Sequence, residues 1–384
     1  MAIQILRLAV MAWLAMAATA GWASPFTPSS DDTVIETLRD RPLSDEEREW
    51  RRLRAQARQH PQDPALAVEV ARKAIEVSRR DGDPRWMGQA QGALQAWWAQ
   101  AAPPPDVRLL RAVILQNQHD FGPALRDLDA IVQRDPANAQ AWLTRASVLQ
   151  VLGRYSDARA SCEALMRIGT NWHAQACLLE LDSLQGQGEP AMAALQKLLR
   201  QAPEALRPWL TLIQAELAER LGHASQADVL YRQLLASAPD AYTEGAYADF
   251  LLDQGRAPEV IVRLEKQQRN DGLLLRLALA YAQTGDPRLN ATVQSLRARF
   301  NAAHERGDQV HRREEARFAL HLLKRPSTAL QLARANWAVQ KEPADARILL
   351  EAARASGKTE AARPVRQFIA QAGWADQRLG QLEP

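Results

Sequence analysis

The sequence predicts an all-α solenoid of about nine antiparallel helix pairs, and three observations carry that prediction. Ala112 and Ala146, Leu115 and Leu149, Phe121 and Tyr155, and Ala124 and Ala158 each differ by 34 in number. Apolar residues inside each unit recur at helical spacing, and Gly or Pro interrupts them where turns are needed. The chain has 384 residues and 47% apolar content, which exceeds one ordinary compact domain. A row of units, each touching only its neighbours, accommodates that length without enlarging a single core.

Residues 1–23 read as a secretory signal peptide. Arg7 is the only charged residue before Asp31, Leu8 to Ala20 is apolar, and Ala18-Thr19-Ala20 fits a small-residue cleavage site. Cleavage is expected after Ala20 or Ala23. The apolar run is about 13 residues, short of the roughly 20 that span a bilayer, which argues against an uncleaved anchor. No later stretch could cross a membrane, so no integral span is expected once the signal is removed. Residues 24–60 form an extended leader followed by a charged capping helix. Its start, Asp45-Glu46-Glu47-Arg48-Glu49, puts acids at the positive end of the helix dipole, with Trp50 and Leu53 as apolar anchors.

The repeat domain is expected over 61–376. A divergent first pair spans about 64–98, with stripes Leu66, Val70, Ala74, Val77 and Met87, Ala90, Leu94, Trp97, Trp98 around Gly82-Asp83-Pro84. Pro103-Pro104-Pro105 separates it from the strongest units, 105–138 and 139–171. In the second of these, Trp142, Ala146 and Leu149 share one helix face, Gly153 supplies the positive φ of the turn, and Ala158, Cys162 and Leu165 line the return helix. Asp135-Pro136 ends the preceding copy and Asn138 caps the next helix. Units at 172–207 and 208–240 continue the pattern with slippage: Gly186 and Gly222, like Pro203 and Pro239, are 36 apart. Ala248, Leu251, Gly255, Val260 and Leu264 mark another pair. Ala278, Tyr281 and Gly285 open the next, whose second helix runs long through Leu296 and Phe300. Pairs at about 311–341 and 345–374 follow, and 377–384 is left as a C-terminal tail.

Trp142, Ala146, Leu149, Gly153, Tyr155, Ala158 and Leu165, with Asp135-Pro136, resemble the signature of the tetratricopeptide repeat family. That resemblance implies a right-handed superhelix whose concave face holds peptides or protein segments.

No catalytic set survives inspection. Gly357-Lys358-Thr359 lacks the upstream glycine and the preceding strand of a phosphate loop. Gly186 and Gly188 are followed by Pro190, which removes a dinucleotide reading, and Asp81-Gly82-Asp83-Pro84 lacks calcium-loop spacing. The seven histidines form no close pair, so neither metal nor cofactor is expected. Net charge is +3, falling to +2 without Arg7, and the arginines alternate with acids, so no basic stripe for nucleic acid is present. Cys162 and Cys177 lie on consecutive helices. A bridge is open to them, but Cys162 reads as core and Cys177 as groove-facing, which favours two buried thiols.

Mapping the family's concave face onto the matching helices selects Gln116, Asn117, Gln140, Gln150, His173, Glu180, Glu216, Glu219, Tyr242, Asp249 and Asp253. The middle of this surface is acidic, which suits an extended segment carrying Lys or Arg, or else marks ordinary solvated residues. The expected function is a non-enzymatic interaction scaffold of the cell envelope, periplasmic, with a protein or peptide partner. The alternatives are an enzyme or accessory subunit with a site near 287–325, and a structural component of an envelope assembly.

Overall fold

The computed structural model describes Ser30 and residues 42–169, 171–308 and 310–382. The expected signal peptide and the leader before Pro42, apart from Ser30, lie outside these residues. The chain divides into two compact units at Arg51/Arg52. In the first, Ser44 and Glu47 cap α1 (Asp45–Gln59) reciprocally: Glu47 N–H donates to Ser44 Oγ at 3.2 Å, and Ser44 N–H to Glu47 Oε2 at 2.8 Å.

In the second unit the described residues from Pro64 onward are a succession of helix pairs. They are α2 (Pro64–Asp81) with α3 (Pro84–Ala93), α5 (Pro105–Asn117) with α6 (Phe121–Arg134), and α7 (Ala139–Val151) with α8 (Tyr155–Arg167). There follow α9 (Asn171–Leu184) with α10 (Gly188–Gln201), α11 (Arg207–Arg220) with α12 (Ala224–Ser237), and α13 (Ala241–Asp253) with α14 (Ala257–Leu264). The last are α15 (Asp271–Thr284) with α16 (Leu289–Glu305), α17 (Arg312–Arg317) with α18 (Pro326–Val339), and α19 (Pro343–Ala355) with α20 (Arg363–Ala372). No strand occurs among the described residues. The all-α solenoid predicted from the interval is what forms.

Local chemistry explains the boundaries. Asn138 accepts from Ala141 N–H at 3.0 Å, as a cap should. Gly153 has φ 71°, and His119, at the same place one unit earlier, is forced to φ 60°. The turn imposes the left-handed conformation whichever residue occupies it, and His119 offsets part of the strain by stacking on Phe121. Two differences from the expected elements appear. The second helix of the first pair breaks at the buried Leu94, leaving a separate α4 (Gln95–Trp98). The first helix of the eighth pair widens after α17 into a π-helix, Phe318–Leu322.

The cysteines correct the expectation of two thiols: Cys162 on α8 and Cys177 on α9 form a disulfide, with Cα atoms 5.7 Å apart. Cys177 points into the core, 7% exposed, and not towards the groove, so the two sulfurs converge between adjacent repeats.

The row of pairs also closes on itself. One core cluster joins α5 to α9 with α17 to α20, while another runs through the middle pairs. Trp374 Nε1 donates to Tyr155 Oη at 2.8 Å, and Lys341 N–H to Val151 O at 2.7 Å. Trp337, Phe368 and Trp374 meet edge to face, with ring centroids 5.2 to 6.4 Å apart, a favourable aromatic geometry. At the other end of the winding, Asn270 Nδ2 donates to Gly82 O at 3.1 Å. Residues 377–380, expected as the start of a tail, instead form α21 (Gln377–Gly380), with Leu379 buried in the shared core.

Among the described residues no helix is long and apolar enough to cross a membrane.

Candidate functional site

The first helices of the pairs form an inner wall because their inward faces carry polar residues at a repeating place. Glu219 and Asp253, Arg313 and Arg347, and Arg317 and Glu351 each differ by 34 in number. Once the row closes, these faces surround a cavity of about 440 Å³. Gln150 on α7, Glu180 on α9, Glu216 and Glu219 on α11, and Tyr242, Asp249 and Asp253 on α13 all line it. Gln116, Asn117, Gln140 and His173 do not. Gln116 Nε2 donates to Ser147 Oγ at 3.3 Å, Asn117 is exposed, Gln140 Nε2 donates to Thr144 Oγ1 at 3.1 Å, and His173 stacks on Trp209.

The opposite side of the cavity is basic, and sequence reasoning stopped short of it. Arg276, Arg313, Arg317, Arg347 and Arg378 enter from α15, α17, α19 and α21. Asp249 receives Arg276 Nη2 at 2.5 Å and Arg317 Nη2 at 2.7 Å. Arg347 reaches Asp253 through both terminal nitrogens, at 2.5 and 2.8 Å, and binds Glu351 at 2.8 Å. Arg378 joins Glu219 to Asp376, and His321, presented by the π-helix, meets Glu351 at 3.0 Å. Arg313 gathers Glu314 and Glu342. Steps of 34 lead from Tyr242 to Arg276 and, taken twice, from Asp249 to Arg317, so continuing those two registers would have found these arginines, whereas Arg313, Arg347 and Arg378 lie off the register of any acid chosen.

Electrostatics divides the wall into paired and unpaired carboxylates. Burial opposes charge on Asp249, but Arg276 and Arg317 outweigh it and hold its pKa far below the usual range. Burial raises Glu219, with Arg378 and the Tyr231 hydroxyl opposing it. Glu216 differs: burial pushes its carboxyl up to about 7, and the Tyr242 hydroxyl, donating at 2.6 Å, offsets only part of this. Glu180 accepts from Gln150 Nε2 at 2.8 Å. Tyr242 lines the cavity and is 62% exposed. Arg220 is 8% exposed, donates to Ser183 Oγ at 2.7 Å, and leaves its Nε without an acceptor. Among the described residues no group of three or more His, Cys, Asp and Glu side chains is arranged to hold a metal. The wall can therefore hold a polar, hydrogen-bonding ligand in a charged setting.

No protein-family model matches this chain. No curated protein matches it either. Solved structures do. PilW, a widely conserved type IV pilus biogenesis factor, is 18% identical, covers 52% of this chain and 96% of its own, and has a TM-score of 0.42. A tetratricopeptide repeat protein from Parabacteroides merdae is 14% identical over 74% of this chain and 98% of its own, with a TM-score of 0.33. The human IFIT1 dimer with PPP-AAAA is 13% identical over 85% of this chain and 86% of its own, with a TM-score of 0.48. At these identities and TM-scores the likeness extends to neither substrate nor partner. The 34-residue interval and the succession of antiparallel helix pairs give this chain the all-α helical-repeat fold that the tetratricopeptide resemblance implied.

Proposed function

We propose that this protein is a non-enzymatic scaffold of the cell envelope that holds a segment of a partner protein in the cavity enclosed by its first helices. The observation carrying this reading is the cavity itself. Side chains from successive repeats converge on one space of about 440 Å³, and Tyr242, 62% exposed, is among the residues lining it. Concave, partly aromatic, hydrogen-bond-rich surfaces are where extended segments are recognised. Export to the periplasm agrees with the leader read at residues 1–23 and with the Cys162–Cys177 bridge, since disulfides persist in oxidising compartments.

The test is photocrosslinking in the native compartment. A photoreactive phenylalanine replacing Tyr242 is expected to yield discrete higher-mass adducts, whereas the same group replacing Val262, 76% exposed on α14, yields none. Adducts from Val262 alone would move the binding surface to the outside and overturn the reading. Terminal sequencing of the recovered protein, expected to begin at Gly21 or Ser24, checks export.

A further inference from the structure

The cavity's carboxylates are not equivalent, and the difference identifies what a bound segment must bring. Asp249, Asp253, Glu219, Glu342, Glu351 and Asp376 each have an arginine partner within the chain. Glu180 and Glu216 have none: no Lys, Arg or His nitrogen among the described residues lies within 4.0 Å of either. They have only neutral donors, Gln150 and Tyr242. Around Glu216, burial disfavours the charge most, the Tyr242 hydroxyl and the more distant Arg220 favour it, and Glu180 and Glu219 add to the burial's effect.

A carboxylate kept in a low-dielectric setting without a counterion destabilises the fold. The chain brings an arginine into contact with the other acids of the same wall, whereas Arg220 turns to Ser183 and stays beyond ion-pair distance of Glu216, so the missing contact is informative. Tyr242 places an open aromatic face beside the same carboxylate, and such a face attracts a cation. An independent feature points to a ligand at this place. Arg220, on the same helix as Glu216 and lining the cavity, is more than nine-tenths buried and has an Nε donor with no acceptor. A buried donor left without an acceptor is uncommon in a folded chain.

Building on the function proposed above, we infer that the corner formed by Glu180, Glu216 and Tyr242 receives the cationic side chain, arginine or lysine, of the partner segment. The segment's cation completes the set of ion pairs that Arg276, Arg317, Arg347 and Arg378 complete elsewhere in the wall.

The experiment is affinity selection of a randomised hexapeptide mixture on the full mature protein, with the retained peptides identified by mass spectrometry. The wild type is expected to enrich Arg- or Lys-containing peptides roughly tenfold, the scale of one charge-assisted hydrogen bond. Glu180→Gln with Glu216→Gln is expected to abolish that preference, while Val262→Asp leaves it intact. The amide variant should fold, because it removes an uncompensated charge. Its melting temperature at neutral pH is expected to equal or exceed that of the wild type, and Tyr242→Leu gives a second variant with the carboxylates in place. Peptides retained without a basic preference, or a preference that survives in the amide variant, would overturn this inference while leaving cavity binding standing. Retention of no peptide at all would overturn both.

Discussion

Reducing the Cys162–Cys177 bridge is the perturbation whose size follows most directly from the fold. The two residues are 15 apart in sequence. In the chain-entropy treatment, cross-linking such a loop removes about 10 cal/mol/K from the unfolded ensemble, or about 3 kcal/mol at room temperature. Cys162 is fully buried and Cys177 nearly so, and both belong to the core that joins the early and late pairs. Reduction leaves two thiols of almost the same volume in that core, so the packing contribution is small and the loop term dominates. Urea unfolding, followed by circular dichroism with and without a thiol reductant, should separate the two forms by about 3 kcal/mol, at nearly equal slope. Because the bridge ties α8 to α9, hydrogen exchange should quicken first in those two helices. Coincident unfolding curves would show that the sulfurs are not bonded, and with that the structural support for an oxidising compartment would fall.

Two further outcomes test the closure and the wall. Gly153→Ala is expected to destabilise by about 1–3 kcal/mol, because φ is 71° there and the added Cβ would stand 2.5 Å from Phe368 Cζ. Calorimetry that found no change in melting would separate the early pairs from the late ones. The second concerns Asp249. Its pKa is depressed in the fold by Arg276 and Arg317, so the pairing stabilises the protein above the ordinary value of 3.8, and that contribution is lost as pH falls below it. Asp249→Asn should accordingly flatten the acid limb of a plot of melting temperature against pH below about pH 4. An acid limb unchanged by the substitution would mean that these arginines do not hold the carboxylate.

Much of the architecture was legible because repeat folds are built from local rules. The recurrence of Ala112 at Ala146 and Phe121 at Tyr155 located the helices, and Gly153 and Asn138 marked their ends for reasons confined to one turn. The same register placed Glu180, Glu216, Tyr242, Asp249 and Asp253 on one inward face. Four other residues so chosen fall outside the cavity: Gln116 and Asn117 are on α5, none of whose residues line it, while Gln140 and His173 are at the starts of α7 and α9, whose later residues Gln150 and Glu180 do line it.

What sequence alone determined, then, was the unit: two helices, their apolar stripes, the turn between them and the face that looks inward. Tertiary structure decided the curvature. Each pair rotates slightly against the last, and intervals that drift between 34 and 36 change those rotations by amounts no single unit reveals. Only their sum brings Trp374 to Tyr155, and it carries Arg317 to Asp249 across 68 residues, Arg347 to Asp253 across 94 and Arg378 to Glu219 across 159. An acidic surface read from the middle of the chain thereby became a cavity supplied with its own cations, because charges far apart in sequence interact only once the accumulated geometry makes them neighbours.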